Sequence, residues 1–232
     1  ASQSGFNAIR DTLRPETSTT FEGGLRYGNE GFQGSLTLYR VDFADRLLTI
    51  SQCAGIVGCP SVLANVGDVE TSGAEAAIDW TLGGGVSLFG SLSWNSSEYA
   101  SNYFDGTTLV PTDGKTVVDA PEVLANIELR YATGAWDARM GAKFTDERFI
   151  TYVNDSKVDS YWVADASLSY GWGSLGWAKN VKTTLNVTNL FDESYFASVG
   201  TNGFVARDPL GQNYTLVTGA PRQVFLTLEA SF

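Results

Sequence analysis

Cys53 and Cys59, the only cysteines of the chain, enclose Ala54-Gly55-Ile56-Val57-Gly58 and are the first residues whose spacing could do chemistry. A pair this close could share a metal or form a local disulfide. There is no histidine anywhere in the sequence, so two cysteines cannot complete a usual zinc site. The same absence removes the commonest general base and the Ser-His-Asp arrangement, and most hydrolase readings go with it. Asp105, Asp113, Asp119, Asp155 and Asp159 could suggest calcium, but their spacing matches no recognised ligand loop, so they read as solvated carboxylates. No pattern in the chain asks for a cofactor or a metal. What remains is recognition. Tyr99, Tyr103, Phe104, Phe196, Phe204, Arg207 and Tyr214 lie in polar, loop-like stretches, and aromatic faces with a fixed cation suit an anionic or aromatic chelate. The same aromatics could instead pack the loops onto one another.

The elements that would position these residues have period two almost throughout. Val123, Ala125, Ile127, Leu129 and Tyr131 alternate with Asn126, Glu128 and Arg130, which makes a strand with one apolar and one charged face. The alternation recurs at 21–27, 74–82, 86–94, 136–144, 162–170, 181–187 and 224–232. A ninth strand, from Phe32 to about Ile50, changes phase: Leu36 and Leu38 are on one side, Tyr39, Val41 and Phe43 on the other. That implies a bulge near 38–40 or an extension beyond the buried zone.

Connection lengths alternate too. Asn29-Glu30-Gly31, Gly83-Gly84-Gly85 and Thr133-Gly134-Ala135 are tight turns of residues that tolerate positive φ, with a somewhat longer one at 171–179. Between them fall long segments at roughly 51–64, 100–120 and 196–219. Only the connection around Asn154 to Lys157 reads as short where a long one is due. Short turns at one end and long loops at the other are the pattern of an antiparallel transmembrane β-barrel.

A soluble β-sandwich also alternates, burying its apolar face against a second sheet. Three features favour the barrel. The polar face carries charges of both signs, as a wet lumen does. Aromatics cluster near strand ends (Tyr27, Trp80, Trp94, Tyr131, Trp136, Phe144, Trp162, Tyr170), where an interfacial girdle sits. The apolar segments run about ten residues, the length a tilted strand needs to cross a bilayer. No apolar run is long enough for a spanning helix. The net charge of −11 makes a nucleic-acid partner unexpected.

Nine antiparallel strands cannot close on themselves, because the first and last would pair parallel. An open sheet edge in lipid leaves backbone groups unsatisfied at several kcal/mol each. The chain is therefore expected to be one piece of a larger closed barrel.

Four stretches resemble TonB-dependent outer-membrane receptors: Leu13-Arg14-Pro15-Glu16-Thr17-Ser18; Asn65-Val66-Gly67-Asp68-Val69 with Ser72-Gly73-Ala74-Glu75; Asn186-Val187-Thr188-Asn189-Leu190-Phe191-Asp192-Glu193-Ser194-Tyr195; and Gly219-Ala220-Pro221-Arg222 leading to a terminal aromatic. They run in family order across residues 13–232. The resemblance implies an all-β fold in which residues 1–232 supply about nine C-terminal strands of a 22-stranded barrel. The plug domain and earlier strands lie outside this chain. It implies a bacterial outer-membrane location, lipid as a partner, and energy-coupled uptake of a small-molecule ligand such as an iron-siderophore. Coupling to the TonB complex would run through an N-terminal part not seen here. No catalysed reaction is expected. Ligand contact would fall on the outside loops, at Tyr99, Tyr103, Phe104, Phe204, Arg207 and Tyr214. Arg26, Arg130, Arg139, Lys143 and Glu229 would line the lumen, contacting a plug or pairing across neighbouring strands. In that oxidising cell-surface setting Cys53 and Cys59 are expected to form a disulfide, and Phe232 to act as an outer-membrane assembly signal. The alternatives are a passive outer-membrane pore and a soluble all-β binding module.

Overall fold

The structure is a computed structural model and describes residues 10–11, 13–50, 62–105, 107–201 and 203–231. Cys53, Cys59 and Phe232 lie outside the described residues. The strands are β1 (Thr17–Gly28), β2 (Phe32–Ala44), β3 (Leu47–Ile50), β4 (Val62–Asn65), β5 (Val69–Gly83), β6 (Val86–Tyr99), β7 (Tyr103–Asp105), β8 (Thr108–Val110), β9 (Val123–Thr133), β10 (Trp136–Thr145), β11 (Arg148–Phe149), β12 (Lys157–Val158), β13 (Tyr161–Leu175), β14 (Ala178–Thr188), β15 (Phe196–Val199), β16 (Leu216–Thr218) and β17 (Gln223–Ser231). Nine of them form one antiparallel meander in the order β1-β2-β5-β6-β9-β10-β13-β14-β17. The other eight pair as four two-stranded ribbons, one in each long connection.

Burial decides between a sandwich and a barrel wall. Ile127, Leu168 and Leu226, from the apolar faces of three different strands, are 49%, 44% and 74% exposed. Among the described residues no second sheet covers them, so the apolar face of the meander is an outer surface. Lipid removes that surface from water at roughly 25 cal/mol per Å². Aromatics border the band on both sides. Near the turns, Trp136 and Tyr170 rings meet at 4.6 Å and Phe32 meets Trp80 edge-on at 6.2 Å; near the loops, Phe144 and Trp162 rings lie 5.0 Å apart. Trp136 and Phe144 are eight residue steps apart along β10, roughly 27 Å of strand, which at a tilt of about 40° crosses roughly 20 Å of the apolar band of about 25 Å.

The opposite face is concave and polar. Ser35, Thr37, Glu75, Ser91, Ser93, Asn126, Lys143 and Thr145 line one trough, and Glu128, Arg139, Asp165, Ser167 and Asn186 continue it.

The strand pairing bears on four expectations. First, the pairing of β2 with β1 and with β5 is continuous through residues 38–40, so of the two alternatives there the bulge is ruled out and the extension beyond the buried zone holds. The phase change marks the top of the lipid zone. Above it the outward positions carry Arg40, which bonds Asp42 and Glu70 on the same face, while Phe43 turns inward to pack against buried loop residues. Second, the strand does not run on to Ile50: it ends at Ala44, Asp45 takes φ 54°, and β3 begins a separate ribbon with β4. Third, residues 154–157 are not a short connection but the tip of the 146–160 loop, which carries the β11–β12 ribbon. Fourth, 171–179 is not a somewhat longer turn but mostly strand. β13 runs to Leu175 and β14 starts at Ala178, with register shifts on either side of Gly173, leaving Gly176-Trp177 as the turn.

The two clusters of buried apolar residues lie at the loop end. Ile50, Val66, Val69, Tyr99, Tyr103, Val110, Val118 and Tyr152 form one cluster, and Ile150, Val158 and Val199 a second. A barrel wall keeps its strands' apolar sides for lipid, so the dry core forms where the loops fold over the top.

Candidate functional site: the loop cap

The four long connections (residues 45–68, 100–122, 146–160 and 189–222) interlock into one cap. Its centre is the segment Gly203-Phe204-Val205-Ala206. Phe204 forms a parallel bridge with Ile50 and donates its N–H to Thr49 O at 3.1 Å. On the other side Val205 bridges Thr151, and the N–H groups of Tyr152 and Val153 donate to Val205 O and Ala206 O. The last loop is thus threaded as a short central strand between the first and third. Phe204 touches both buried clusters, and its ring meets Tyr152 edge-on at 6.3 Å. The second loop is tied in by Asn154, whose amide donates to Thr116 O at 2.9 Å and accepts from Thr116 N–H at 2.8 Å.

Charged side chains fix the joints. Arg148, nearly fully buried, donates to Asp119 at 2.9 Å and to Phe196 O at 2.6 Å, joining the second, third and fourth loops. Burial pushes the Asp119 carboxyl above its usual range, against the lowering pull of Arg148. Asp208 is buried too, and burial alone would raise its pKa. Hydrogen bonds from the backbone N–H groups of Gln212, Asn213 and Tyr214 and from the Asn213 amide outweigh it, and the carboxyl is held below the ordinary value. The Asp208 N–H donates to Asp155 Oδ1 at 3.1 Å, and Thr151 Oγ1 donates to the same oxygen at 2.8 Å.

The family-like stretches are the hinges between cap and wall. Asn189 takes φ 48°, a left-handed conformation that asparagine tolerates better than branched residues. Its amide donates to Glu193 O at 2.8 Å and Ala220 O at 3.0 Å, and its oxygen accepts Glu193 N–H at 2.8 Å. Asp192 accepts Arg222 N–H at 2.9 Å. Gly219 lies under the Tyr195 ring, where a Cβ would approach to 2.0 Å. At the far edge of the sheet, Asn65 exchanges bonds with the Arg14 backbone and donates to Asp45 O, while Glu16 accepts from Arg46 Nη1 at 2.6 Å and Leu47 N–H at 2.8 Å. Each pair of stretches far apart in sequence closes one joint where a loop leaves its strand.

Against this frame the proposed contact residues separate. Tyr99 and Tyr103 are buried and meet the Tyr152 ring tilted and edge-on, at 5.9 and 5.2 Å between ring centroids. Phe204 and Tyr214 are half-buried and pack against the two clusters. Phe104, 64% exposed, and Arg207 stand on the surface of separate loops. Phe104 pairs across its ribbon with exposed Leu109, on the side away from buried Tyr103 and Val110. Sequence reasoning gave no role to Arg148, Asn154 or Asp208. Asn154-Asp155-Ser156 and Asp208-Pro209-Leu210-Gly211 carried a local signal, that of a turn, and Arg148 carried none.

Two of the lumen charges, Arg130 and Arg139, pair along their own strands and not across neighbouring ones. Arg130 and Arg139 sit directly opposite each other in the β9–β10 register. Each is matched by a carboxylate two residues away on its own strand, Arg130 by Glu128 and Arg139 by Asp137 at 3.3 Å, which offsets the repulsion of facing like charges.

Comparison with known proteins bears on this arrangement. A family model described as "TonB dependent receptor-like, beta-barrel" matches residues 2–190. The ferrichrome outer membrane transporter/phage receptor of Escherichia coli strain K12 is 27% identical over 171 residues, 72% of this chain and 20% of that protein. The iron-regulated outer membrane virulence protein of Vibrio cholerae is 30% identical over 130 residues, 52% of this chain and 19% of that protein. Among solved structures, the ferric yersiniabactin uptake receptor of Yersinia pestis aligns with a TM-score of 0.70 at 19% identity, covering 94% of this chain and 30% of that one. The copper transporter OprC aligns at 0.69 with 23% identity, covering 94% and 32%. The chain spans about a fifth of the length of these sequence relatives.

Proposed function

The chain belongs to the TonB-dependent receptor family of β-barrels, and from that membership we propose that residues 1–232 form the C-terminal nine strands of a 22-stranded outer-membrane barrel whose whole protein captures a ferric siderophore and imports it at the expense of TonB-coupled energy. The observation that carries the reading is the exposure of the apolar face around a polar concave one, with every long loop gathered into a single cap at one end. The wall seals against lipid. The cap presents recognition surface above the lumen, where Phe104 and Arg207 offer an aromatic face and a cation. A plug, contributed by the part of the protein outside this chain, would close the lumen and contact Arg26, Lys143 and Glu229. The relatives named for ferrichrome and iron regulation support iron chelates as the ligand class. The work done is binding and translocation.

The test is uptake of radiolabelled ferric hydroxamate, catecholate and citrate chelates by cells whose only such receptor is the full-length protein. Saturable uptake of one class that collapses without the TonB protein supports the proposal. Unsaturable flux of unrelated solutes that persists without TonB would identify a passive pore instead.

A further inference from the structure

The turn end of the barrel has one irregular member. Each turn is hydrogen-bonded to the next strand of the sheet: Gly31 O accepts from Thr81 N–H, Gly85 O from Ala132 N–H, and Ala135 O from Gly171 N–H. Thr81 lies three residues before the turn that opens at Gly84, and Ala132 two residues before the turn that opens at Gly134. This is a nearly steady stagger of one hairpin against the next. Gly171, however, lies five residues before the turn that opens at Gly176, so the β13–β14 hairpin projects two to three residues further than the other turns, about 7–10 Å of extra strand.

A projecting turn in water would be expected to carry polar residues. This one carries Trp172, Leu175 and Trp177, which are 53%, 52% and 77% exposed. The rings lead down from the membrane belt without a gap: Trp136 to Tyr170 at 4.6 Å, then Tyr170 to Trp172 at 4.6 Å. The Trp172 indole N–H donates to Thr183 Oγ1 at 2.9 Å, which fixes that ring against β14. Exposed Lys179 follows on the same hairpin. Tryptophan beside lysine favours the headgroup layer, where the ring meets partly apolar surroundings and the cation meets phosphate.

We propose that the β13–β14 turn is a paddle lodged in the phospholipid headgroup layer on the turn side of the membrane, an anchor beyond the regular aromatic belt. This rests on the membrane-barrel reading above. Trp172 and Trp177 supply the interfacial rings, Leu175 the apolar tip, and Lys179 a contact to phosphate. The paddle opposes sliding of the wall along the membrane normal at one point on its circumference.

The test uses the full-length protein in bilayers of phosphatidylethanolamine and phosphatidylglycerol. Emission from Trp177 is taken as the difference between the parent protein and Trp177→Phe, with Trp136→Phe giving the same reading for the belt and Trp172→Phe replacing Trp177→Phe should that variant fail to assemble. Lipids brominated near the glycerol end should quench the Trp177 component several-fold more than aqueous iodide does. If iodide reaches Trp177 as freely as a free indole while brominated lipid still quenches Trp136, the paddle is in water and the inference fails although the barrel stands. Shielding of Trp177 from both quenchers would mean that protein covers the tip, which also overturns it. Loss of lipid quenching at Trp136 as well would overturn the barrel reading itself.

Discussion

Tyr39 on β2 reaches across β5 to donate its phenolic hydrogen to Asn95 on β6, at 3.0 Å, over the one position between them that has no side chain. That position is Gly73, in register with both residues, and a Cβ there would lie 2.3 Å from the Tyr39 ring. Gly73→Ala should therefore force the ring aside and cost about 1–3 kcal/mol by overpacking, read as a lower temperature for the heat-induced mobility shift of the folded barrel. Combining it with Tyr39→Ala should recover part of the loss. An additive double variant would show that the two residues do not act through this contact.

The two faces of β13 should answer oppositely to charge. Leu168→Arg places a cation in the lipid-facing band and should cost about 2–4 kcal/mol near the midplane, whereas Ser167→Arg, facing the lumen, should assemble almost normally. Yields of folded barrel from refolding into lipid vesicles measure the difference, and equal yields would contradict the assignment of faces.

Phe204→Ala removes the ring shared by both buried clusters of the cap and should cost about 2 kcal/mol or more. Hydrogen exchange gives the sharper reading. Because the 203–206 segment lies between Thr49-Ile50 and Thr151-Val153, exchange should rise in all three segments together. A rise confined to the last loop would mean that the loops open independently.

Asp208 sets a pH limit on the last loop. Its folded pKa is depressed because backbone N–H donors outweigh burial, so the ionised form is the stabilising one. The contribution is fully present above the unfolded value of about 3.9 and is lost as pH falls through the lower folded value. Exchange protection of residues 207–214 should be flat from neutral pH to about 4 and fall below it. In Asp208→Asn the protection should be weaker at neutral pH and the acid-dependent step should disappear.

Asn189→Ala removes three hydrogen bonds at the hinge and leaves Glu193 and Ala220 groups without them, at an expected cost of about 3 kcal/mol. Asn189→Gly keeps the left-handed backbone but not the bonds, so it should fall between the parent and Asn189→Ala. Thermal unfolding of the two variants separates the backbone contribution from the side-chain one.

The alternation of Val123 to Tyr131 or of Trp162 to Tyr170 already decides that these residues are strands, and which side of each is apolar, because every strand of a barrel wall meets lipid on one side and lumen on the other over its whole crossing. Local composition is enough to report an environment that constant. The same reasoning left a bulge and an extension beyond the buried zone both open in Phe32 to Ile50, and carried the strand past its end at Ala44, because the environment changes partway: above the lipid the outward side becomes charged with Arg40 and Asp42, and the inward side becomes apolar to receive the cap. Short sequence windows also could not show that residues 146–160 form a ribbon or that 171–179 continues two strands, since both depend on pairing with neighbours.

The cap was the least legible part. Tyr99 and Phe104 look alike in sequence, yet one is buried and the other exposed. Sequence alone determined the wall, its two faces and, through the four family-like stretches, the kinship of the chain. Only the tertiary structure decided that those stretches are paired hinges and that Phe204 seats itself between Ile50 and Thr151, because such contacts join residues far apart in the chain and leave no period in it.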